Sequence, residues 1–343
     1  MVTAARATLV SQVAGVNDGW PCLHPNNTVG TSANRGMNFN SGDLGIIYDR
    51  GDGKVNIVYG DNFGYPWKSP VATGPTGSGN ANTSAWRPNS LLVSTTPATQ
   101  LGVTGLIVSD YAGASDGQCK VLIPQLSGMA SAIPTSAICI GGTNYMTVMD
   151  IQSWSGPQGW TTKRSVMCVS TNNGQDWART GMVWGNTGGG SKFQQAALCQ
   201  AGAYLYMYGT PNGRGNPAYL ARCPLPSSPL VAASWQYWNG AAWGPYLDSA
   251  AVVIPAPVPE LSARYDYGLG LFMLTYADDV QGMVLLTSPN ATGPWQTQVL
   301  MPQGQGLSTY GGYQHPWSTS TDLYYVGSDW YTYQTFLFRS RLT

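Results

Sequence analysis

The sequence predicts an all-β protein of the propeller type, and three observations lead to that class. About twenty short apolar runs alternate with turns rich in Gly, Asn, Pro and Ser along the chain. No convincing helix of about 12 residues or more follows the N-terminal segment. A turn sequence also recurs, and so many short strands suit a propeller better than a single sandwich.

Typical strand candidates are residues 44–49, 54–60, 203–209 and 282–288, each of which is apolar and ends at a turn residue. Residues 2–16 are the exception, because their Ala, Arg and Leu favour a short helix. The Gly/Ser/Asn stretch at 73–82 is the best loop candidate. It is either an ordinary surface loop or a segment that overhangs a pocket.

The recurring turn starts at Ser, has Asn at its third position and ends at Trp. It occurs at Ser170–Trp177 and at Ser288–Trp295. We expect the Asn side chain to cap backbone amides, Gly to adopt positive φ, and Trp to pack back on the sheet. Both copies look like degenerate Asp-boxes of sialidase-like and glycosidase propellers, where the motif is structural, so we assign no chemistry to them.

Composition limits the classes of ligand. Charged residues make up 9% of the 343 residues, and Lys+Arg and Asp+Glu balance at 16 each. No basic patch is visible, so nucleic acid is not expected as a partner. An acidic polymer is equally disfavoured. The 13 Trp and 20 Tyr can provide platforms for sugar rings, whose C–H faces are apolar.

Several other features are predicted to be absent. No signal peptide is visible and no apolar run could span a membrane, so no membrane association is expected. The six cysteines form no CxxC pair, and there are two histidines, so neither a metal site nor a cofactor is predicted. Cys139, Cys168 and Cys199 lie in apolar runs, which favours buried thiols over disulfides.

The few carboxylates are therefore the main candidates for chemistry. Asp43 lies at the entry to the first clear strand, where a propeller would point it into the central pocket; capping of a turn is the alternative. Asp61 follows a turn signal, and Asp150 ends an apolar run. Glu260 follows Pro257-Val-Pro and begins a strand, so a solvated face explains it poorly. A buried ion pair with Arg264 is its alternative reading.

Several short segments, taken in order, resemble glycoside hydrolase family 183, the endo-D-arabinanases, which were formerly a domain of unknown function. They extend from Asp43 to the C-terminal region. The segments are Asp43-Leu-Gly, Tyr59-Gly-Asp-Asn-Phe, Trp86-Arg-Pro-Asn-Ser, Gly209-Thr-Pro-Asn-Gly-Arg, Tyr219-Leu-Ala-Arg, Glu260-Leu-Ser-Ala-Arg-Tyr and Tyr310-Gly-Gly-Tyr-Gln-His-Pro-Trp. Asn62 departs from the pattern, where Thr or a similar residue is expected.

The resemblance implies a five-bladed propeller that hydrolyses the D-arabinan of arabinogalactan and lipoarabinomannan in mycobacterial-type walls. We expect residues 1–40 to be an N-terminal extension and residues 41–343 to form one glycosidase-like domain. The extension would contact other tail proteins if the chain is a phage minor tail protein. Its location would then be the virion, or otherwise extracellular, and its partner a cell-wall polysaccharide.

Glycoside cleavage needs an acid and a second carboxylate. We assign Asp43 as nucleophile or general base and Glu260 as general acid, with Asp150 or Asp61 tuning the pKa of Glu260. The substrate-binding candidates are Arg264, His315, Trp86, Arg87, Trp154, Trp317 and Gln194. Three alternatives remain: a non-catalytic tail or receptor-binding protein, a sialidase-like enzyme, and an exo-acting arabinofuranosidase.

Overall fold

The computed structural model describes residues 2–15, 37–65, 85–156, 159–304, 307–330 and 332–343. These residues form an all-β fold, as predicted. The loop candidate at 73–82 lies outside the described residues. The strands are β1 (Thr8–Ala14), β2 (Ser41–Gly42), β3 (Ile46–Asp49), β4 (Val55–Tyr59), β5 (Asn62–Phe63), β6 (Trp86–Arg87), β7 (Ser90–Ser94), β8 (Val108–Tyr111), β9 (Ser131–Ile140), β10 (Thr143–Trp154), β11 (Trp160–Ser170), β12 (Ala178–Gly185), β13 (Gln195–Ala201), β14 (Tyr204–Thr210), β15 (Ala218–Pro224), β16 (Gln236–Trp238), β17 (Trp243–Gly244), β18 (Val252–Ile254), β19 (Leu261–Asp266), β20 (Leu271–Asp278), β21 (Gly282–Ser288), β22 (Gln296–Pro302), β23 (Thr309–Gln314), β24 (Asp322–Asp329) and β25 (Gln334–Arg341).

Helical structure in this part of the chain is confined to short turns. One four-residue α-helix spans Leu101–Thr104. The 3₁₀ turns span Ala98–Gln100, Gly188–Phe193, Ala232–Ser234 and Leu247–Ser249. No helix among the described residues has the length and apolar character needed to cross a bilayer.

Five sheets of four or more strands follow one another along the described chain, and all their pairings are antiparallel. Their orders are β3-β4-β7-β8, β12-β11-β10-β9, β13-β14-β15-β16-β17 with β18 beside β15, β19-β20-β21-β22, and β1-β25-β24-β23. A small sheet, β2-β5-β6, lies next to the first. Antiparallel neighbours joined by short turns are what the alternation of apolar runs and turn residues predicts.

One edge strand of each of these sheets contacts an edge strand of the next, and we call these five strands the inner strands. Strand β3 contacts β9, β9 contacts β13, β13 contacts β19, β19 contacts β23, and β23 returns to β3. Apolar clusters fill the space between successive sheets; one of them joins Leu220 of the third sheet to Leu274 of the fourth. The arrangement is propeller-like, and it gathers the beginnings of five strands at one end of the molecule.

The N-terminal segment differs from the predicted helix. Thr8–Ala14 is strand β1, and it pairs with β25 to complete the sheet formed by the last three strands. The helix prediction was wrong because local propensity is weak compared with the hydrogen bonds and burial that an open sheet edge offers. The inner half of this strand, from Ser11 to Ala14, is buried. The role of residues 1–40 in assembly stays a prediction.

The first recurrent turn has the predicted geometry. Asn172 accepts a hydrogen bond from the Asp176 amide through Oδ1 (2.9 Å), and Gly174 adopts φ +82°. Trp177 donates from Nε1 to the Gly174 carbonyl (2.9 Å) and packs against the core. In the second copy, Gly293 has φ +86° and Trp295 donates to the Val253 carbonyl of the preceding sheet (3.0 Å). These turns are structural, as expected.

The cysteines of the described residues are free thiols, as predicted for Cys139, Cys168 and Cys199. Cys168 and Cys199 are buried, whereas Cys139 is half-buried. Burial raises the pKa of Cys168 and of Cys199 to about 12, so both are protonated at neutral pH. They serve as small apolar side chains. Cys22 lies outside the described residues.

Candidate active site

An acidic cavity of about 180 Å³ lies at the end of the fold where the five inner strands begin. Asp43 precedes β3, Glu260 immediately precedes β19, and Asp61 lies in the turn between β4 and β5; all three line this cavity. Acids more than two hundred positions apart therefore meet because the strands that follow them are neighbours around the centre. We call this space the acidic cavity.

Asp43 is fixed by its own turn and by two tyrosines. Its carbonyl accepts the Gly60 amide (3.2 Å), and a Cβ at Gly60 would lie 2.5 Å from Asp43 Oδ1, so Gly permits this approach. Tyr310 donates its hydroxyl to Oδ2 (3.1 Å). Burial, with a further contribution from the neighbouring Asp61, raises the pKa of Asp43 to about 8; hydrogen bonds from Tyr310 and Tyr333 oppose the shift only in part. Asp43 is therefore largely protonated at pH 7.

Asp61 has a different environment within the same cavity. Its Oδ1 accepts hydrogen bonds from Trp86 Nε1 (3.0 Å) and from Ser131 Oγ (2.9 Å). Burial raises the pKa of Asp61 to about 6, and these two donors limit the rise. At pH 7 Asp61 is mainly ionised, and its negative charge favours the proton on Asp43.

Glu260 is bound by a guanidinium on both of its oxygens. Arg214 donates from Nε to Oε2 (3.0 Å) and from Nη2 to Oε1, and both side chains are buried. The Arg214 guanidinium lies over the rings of Trp160 (5.2 Å), Tyr310 (5.7 Å) and Trp330 (5.0 Å). A bidentate pair of this kind fixes the plane of the carboxylate.

The rest of the cavity wall includes five aromatic side chains beside aliphatic and polar ones. Trp154 is 47% exposed at the mouth and contacts Trp160 edge-to-face at 6.0 Å. Trp86, 37% exposed, lies beside the cavity through its bond to Asp61. The arrangement combines a proton donor, an ionised carboxylate and exposed indoles. Acid–base cleavage of a glycosidic bond uses groups of these kinds.

Asp150 is not part of this group, although it was a candidate. It is fully buried and paired with Arg164 (2.8 Å) and Arg179 (2.7 Å). Successive side chains of a strand point to opposite faces. Met149 lines the acidic cavity, so Asp150 points away from it to its cross-strand neighbour Arg164. Its expected role in tuning the pKa of Glu260 has no contact to support it.

Gln194 points away from the acidic cavity for the same reason, because the side chains of successive residues alternate in direction. Its side chain is buried, donates to the carbonyls of Trp184 (3.0 Å) and Gly190 (2.7 Å), and accepts from the Thr162 hydroxyl (2.7 Å). The next residue, Gln195, lines the acidic cavity. This segment therefore contributes Gln195 to the cavity wall, and not the predicted Gln194.

Arg264 and Trp317 lie toward the other end of the inner strands. Arg264 pairs with Asp266 (3.0 Å), not with Glu260, so the ion pair considered for Glu260 forms with a different arginine. Trp317 donates from Nε1 to Asp49 (2.6 Å) at the end of β3. Neither residue lines the acidic cavity.

Two further binding candidates support structure around the cavity. His315 is fully buried, accepts the Trp317 amide at Nδ1 (3.1 Å), and burial lowers its pKa to about 3, so it is neutral. Arg87 donates to the Asn38 carbonyl (3.1 Å) and to the Asn62 side chain (3.4 Å), behind the turn that carries Asp61. Neither side chain lines the acidic cavity.

Sequence reasoning missed several residues of the site. Arg214 lies within a quoted segment, but Gly-Arg-Gly gives no sign of its partner, and the tyrosines were three among twenty. Two sequence features could have pointed to them: the glycine pair that precedes Tyr313, and Arg214 as a single arginine within a glycine-rich loop. The missed residues are Gln195, Arg214, Tyr310, Tyr313, Trp330 and Tyr333.

The described residues contain no group of three or more His, Cys, Asp or Glu side chains arranged to hold a metal ion. The three carboxylates of the acidic cavity accept hydrogen bonds from Tyr, Trp, Ser and Arg side chains.

Solved structures resemble this fold at low sequence identity. A putative hydrolase from Bacteroides ovatus superposes with a TM-score of 0.60 at 12% identity and covers 89% of this chain and 87% of its own. The catalytic domain of a Coprinopsis cinerea GH62 α-L-arabinofuranosidase superposes with a TM-score of 0.50 at 10% identity, with 99% and 98% coverage. At such identities the likeness establishes a shared all-β, propeller-like fold with hydrolases and glycoside hydrolases.

The sequence also matches curated proteins and a domain family. Notoamide biosynthesis cluster protein J of an Aspergillus species (strain MF297-2) is 25% identical over 321 residues, which cover 84% of this chain and 79% of the relative. The protein named J′ from Aspergillus versicolor is 24% identical over 317 residues. The domain of unknown function DUF4185 matches residues 30–339, nearly the whole chain, and the protein therefore belongs to the DUF4185 family.

Proposed function

We propose that the protein is a glycoside hydrolase that cleaves the D-arabinan of mycobacterial-type cell walls. The observation that carries the proposal is the acidic cavity, in which a protonated carboxyl and a guanidinium-bound carboxylate share one small space. A glycosidase needs this combination, because one group must donate a proton while the other attacks or activates water.

Asp43 is the general acid in this proposal, which reverses the assignment made from the sequence. Its pKa of about 8 leaves it protonated at neutral pH, so it can protonate the departing glycosidic oxygen. Asp61 maintains that proton through its negative charge. Tyr310 and Tyr333 hold the carboxyl in place.

Glu260 is then the second carboxylate. Arg214 binds both of its oxygens and so orients it for attack on the anomeric carbon or for removal of a proton from water. The two roles differ in stereochemistry, since direct attack retains the anomeric configuration and activation of water inverts it. Arg214 acts through Glu260 and is a positioning residue.

The shape and charge of the cavity support a neutral sugar polymer as substrate. Its volume of about 180 Å³ is below the ~300–1,000 Å³ of sites for drug-sized ligands, which favours a single sugar ring. Trp154 and Trp86 provide apolar faces outside it for the neighbouring units. The choice of D-arabinan rests on the resemblance of the segments around Asp43, Asp61 and Glu260 to endo-D-arabinanases.

We further propose that the five larger sheets are the blades of a five-bladed propeller, supported by the cyclic contacts of their inner strands. A wall polysaccharide places the protein outside the cell or on a phage tail, with residues 1–40 as the contact to other tail proteins. Co-purification of the full chain with tail particles, compared with a chain that lacks residues 1–7, tests that assembly role.

The test of the function is incubation of the protein with mycobacterial arabinogalactan and analysis of released products by size. We expect oligosaccharides of several arabinose units from an endo-acting enzyme, and free arabinose from an exo-acting one. The variant Asp43→Asn should release none above background. No product from the unmodified protein, or full activity of this variant, would overturn the proposal.

A non-catalytic wall-binding protein is the second candidate, favoured by the exposed indoles at the cavity mouth. Such a protein would bind the same polymer and release no product, and Asp43→Asn would leave its binding unchanged.

A further inference from the structure

A second cavity, of about 370 Å³, lies at the opposite end of the same inner strands. Ile133 in β9, Gln195 in β13 and Glu260 just before β19 line the acidic cavity, whereas Cys139, Gln200 and Tyr265, which come later in these strands, line this one. Tyr313 lines both cavities and is buried, so its ring lies between them. The second cavity is therefore separate from the acidic cavity and has no part in the proposed cleavage.

The polar groups of this cavity favour a neutral ligand. Arg264 is paired with Asp266, and Asp49 accepts Trp317 Nε1 (2.6 Å) and the Gly51 amide (2.7 Å). Since Arg264 forms an ion pair and both oxygens of Asp49 accept hydrogen bonds within the protein, an ionic ligand would gain little. Hydrogen-bonding groups remain, among them the exposed side chain of Gln200.

Gln314 supplies an independent sign of a ligand. Its side chain is 4% exposed and lines the cavity, and Nε2 donates to the Met273 carbonyl (2.8 Å). Its Oε1 is buried and has no hydrogen-bond partner among the described residues. Buried amide oxygens are rarely left without a donor, and a hydroxyl group entering the cavity would supply one.

A row of aromatic rings leads from the cavity rim, between the fourth and third sheets, to the outer strands of the third sheet. Tyr267, at the rim, is 70% exposed. The other rings are buried or half-buried and pack against the apolar core, so Tyr267 is the ring of the row that is open to solvent. In spatial order the row is Tyr267, Tyr265, Phe272, Tyr206, Trp243 and Trp238, with successive ring centroids 4.9, 4.8, 5.3, 6.1 and 5.5 Å apart.

We propose that this cavity and the Tyr267 ring at its rim form a second binding site, for a neutral saccharide chain. Sugar rings present apolar C–H faces to aromatic side chains and hydroxyl groups to polar ones, and this site offers both kinds of partner. One sugar unit occupies the cavity beside Gln314, and the next unit lies against Tyr267. The site binds polymer without cutting it.

The identity of the saccharide rests on the proposed function, so the probe is insoluble mycobacterial arabinogalactan. Binding is measured by sedimentation with the Asp43→Asn variant, in which the polymer stays intact. Adding Tyr267→Ala should weaken binding about tenfold, as expected for loss of a central aromatic contact. Tyr267→Phe should retain most of the affinity, because the ring and not the hydroxyl forms the platform.

The matched control is Tyr246→Ala, which removes a tyrosine that is 74% exposed and lines neither cavity; it should bind as before. Tyr267→Ala in the otherwise unmodified chain should cleave short arabino-oligosaccharides at the unmodified rate. If the unmodified chain releases products while Tyr267→Ala leaves binding unchanged, the second site is wrong and the hydrolase proposal stands. If binding depends on Tyr267 but no product forms, the hydrolase proposal is wrong and the second site stands. Absence of any binding by Asp43→Asn overturns the second site.

Discussion

Two buried aspartates, Asp43 and Asp150, differ in the charges of the side chains that surround them. Asp150 lies between Arg164 and Arg179, so its negative charge is matched twice within the protein. Asp43 has no cation among its ion-pair partners in the described chain; it has tyrosine hydroxyls and a second acid nearby. An aspartate that is buried between cations has a structural role. An aspartate that is buried beside another acid has a raised pKa and keeps its proton at neutral pH. The sequence placed both acids at one end of an apolar run, but Asp43 precedes strand β3, whereas strand β10 continues through Asp150 to Trp154.

The largest effect should come from Asp43→Asn. Loss of the proton donor is expected to lower kcat/KM on arabinogalactan about 10²- to 10⁴-fold, the usual contribution of general acid catalysis. Initial rates of product release at pH 7 measure it. The fold should persist, because the amide replaces a carboxyl that is already neutral. A rate within about threefold of the unmodified protein would contradict the assignment.

A smaller loss of activity should follow from Arg214→Lys. Lysine keeps the charge but cannot bind both oxygens of Glu260, so the carboxylate loses its fixed plane. We expect kcat to fall about 10- to 100-fold, as for other residues that orient a reacting group, with KM little changed. Steady-state kinetics separate the two parameters. A change confined to KM would mean that Arg214 contacts substrate and does not act through Glu260.

Asp150→Asn should have the opposite effect to the two substitutions above: it should lower the free energy of unfolding and leave the catalytic rate unchanged. Removing the carboxylate leaves Arg164 and Arg179 without their partner, which costs about 3–5 kcal/mol for a buried pair. Urea denaturation at pH 7 gives the free energy of unfolding. The rate per folded molecule should equal that of the unmodified protein. An unchanged stability together with lost activity would place Asp150 in the reaction after all.

The smallest of these effects belongs to Trp154→Ala at the mouth of the acidic cavity. The indole is half exposed, so its removal should leave the fold intact and raise KM for the polymer about tenfold, equivalent to one lost stacking contact. Trp154→Phe should recover part of the affinity. Equal KM values for all three proteins would remove Trp154 from the substrate path.

The sequence predicted the β-rich class and two of the cavity carboxylates for reasons that held in the structure. Acids are rare in this chain, and Asp43 and Glu260 stand at strand entries in uncharged surroundings, where a solvated role is hard to justify. Asp61, a third candidate from the sequence, also lines the cavity. Local pattern sufficed here because the beginnings of inner strands meet at one end of a propeller-like fold.

Other parts of the site depend on side-chain direction and tertiary contact. A shift of one residue in a strand reverses the face, which separates Gln195 from Gln194 and Met149 from Asp150. The partner of Glu260 was Arg214 from a distant loop, not Arg264 from the same strand. The N-terminal strand β1 forms because β25 offers a free edge. Helix propensity depends on the local sequence alone and does not include this tertiary pairing.

The ionisation of Asp43 tests the central claim most directly. With ¹³C-labelled aspartate, the carboxyl resonance that disappears in Asp43→Asn should titrate near pH 8. Asp61→Asn should move that titration to lower pH by removing the neighbouring charge, and kcat/KM should fall through the same pH range as the proton is lost. Stability should follow in the same sense: because the folded pKa lies above the unfolded value, the contribution of Asp43 declines as pH rises from about 4 to about 8. A carboxyl of Asp43 that titrates near pH 4, with or without Asp61, would contradict its role as the acid.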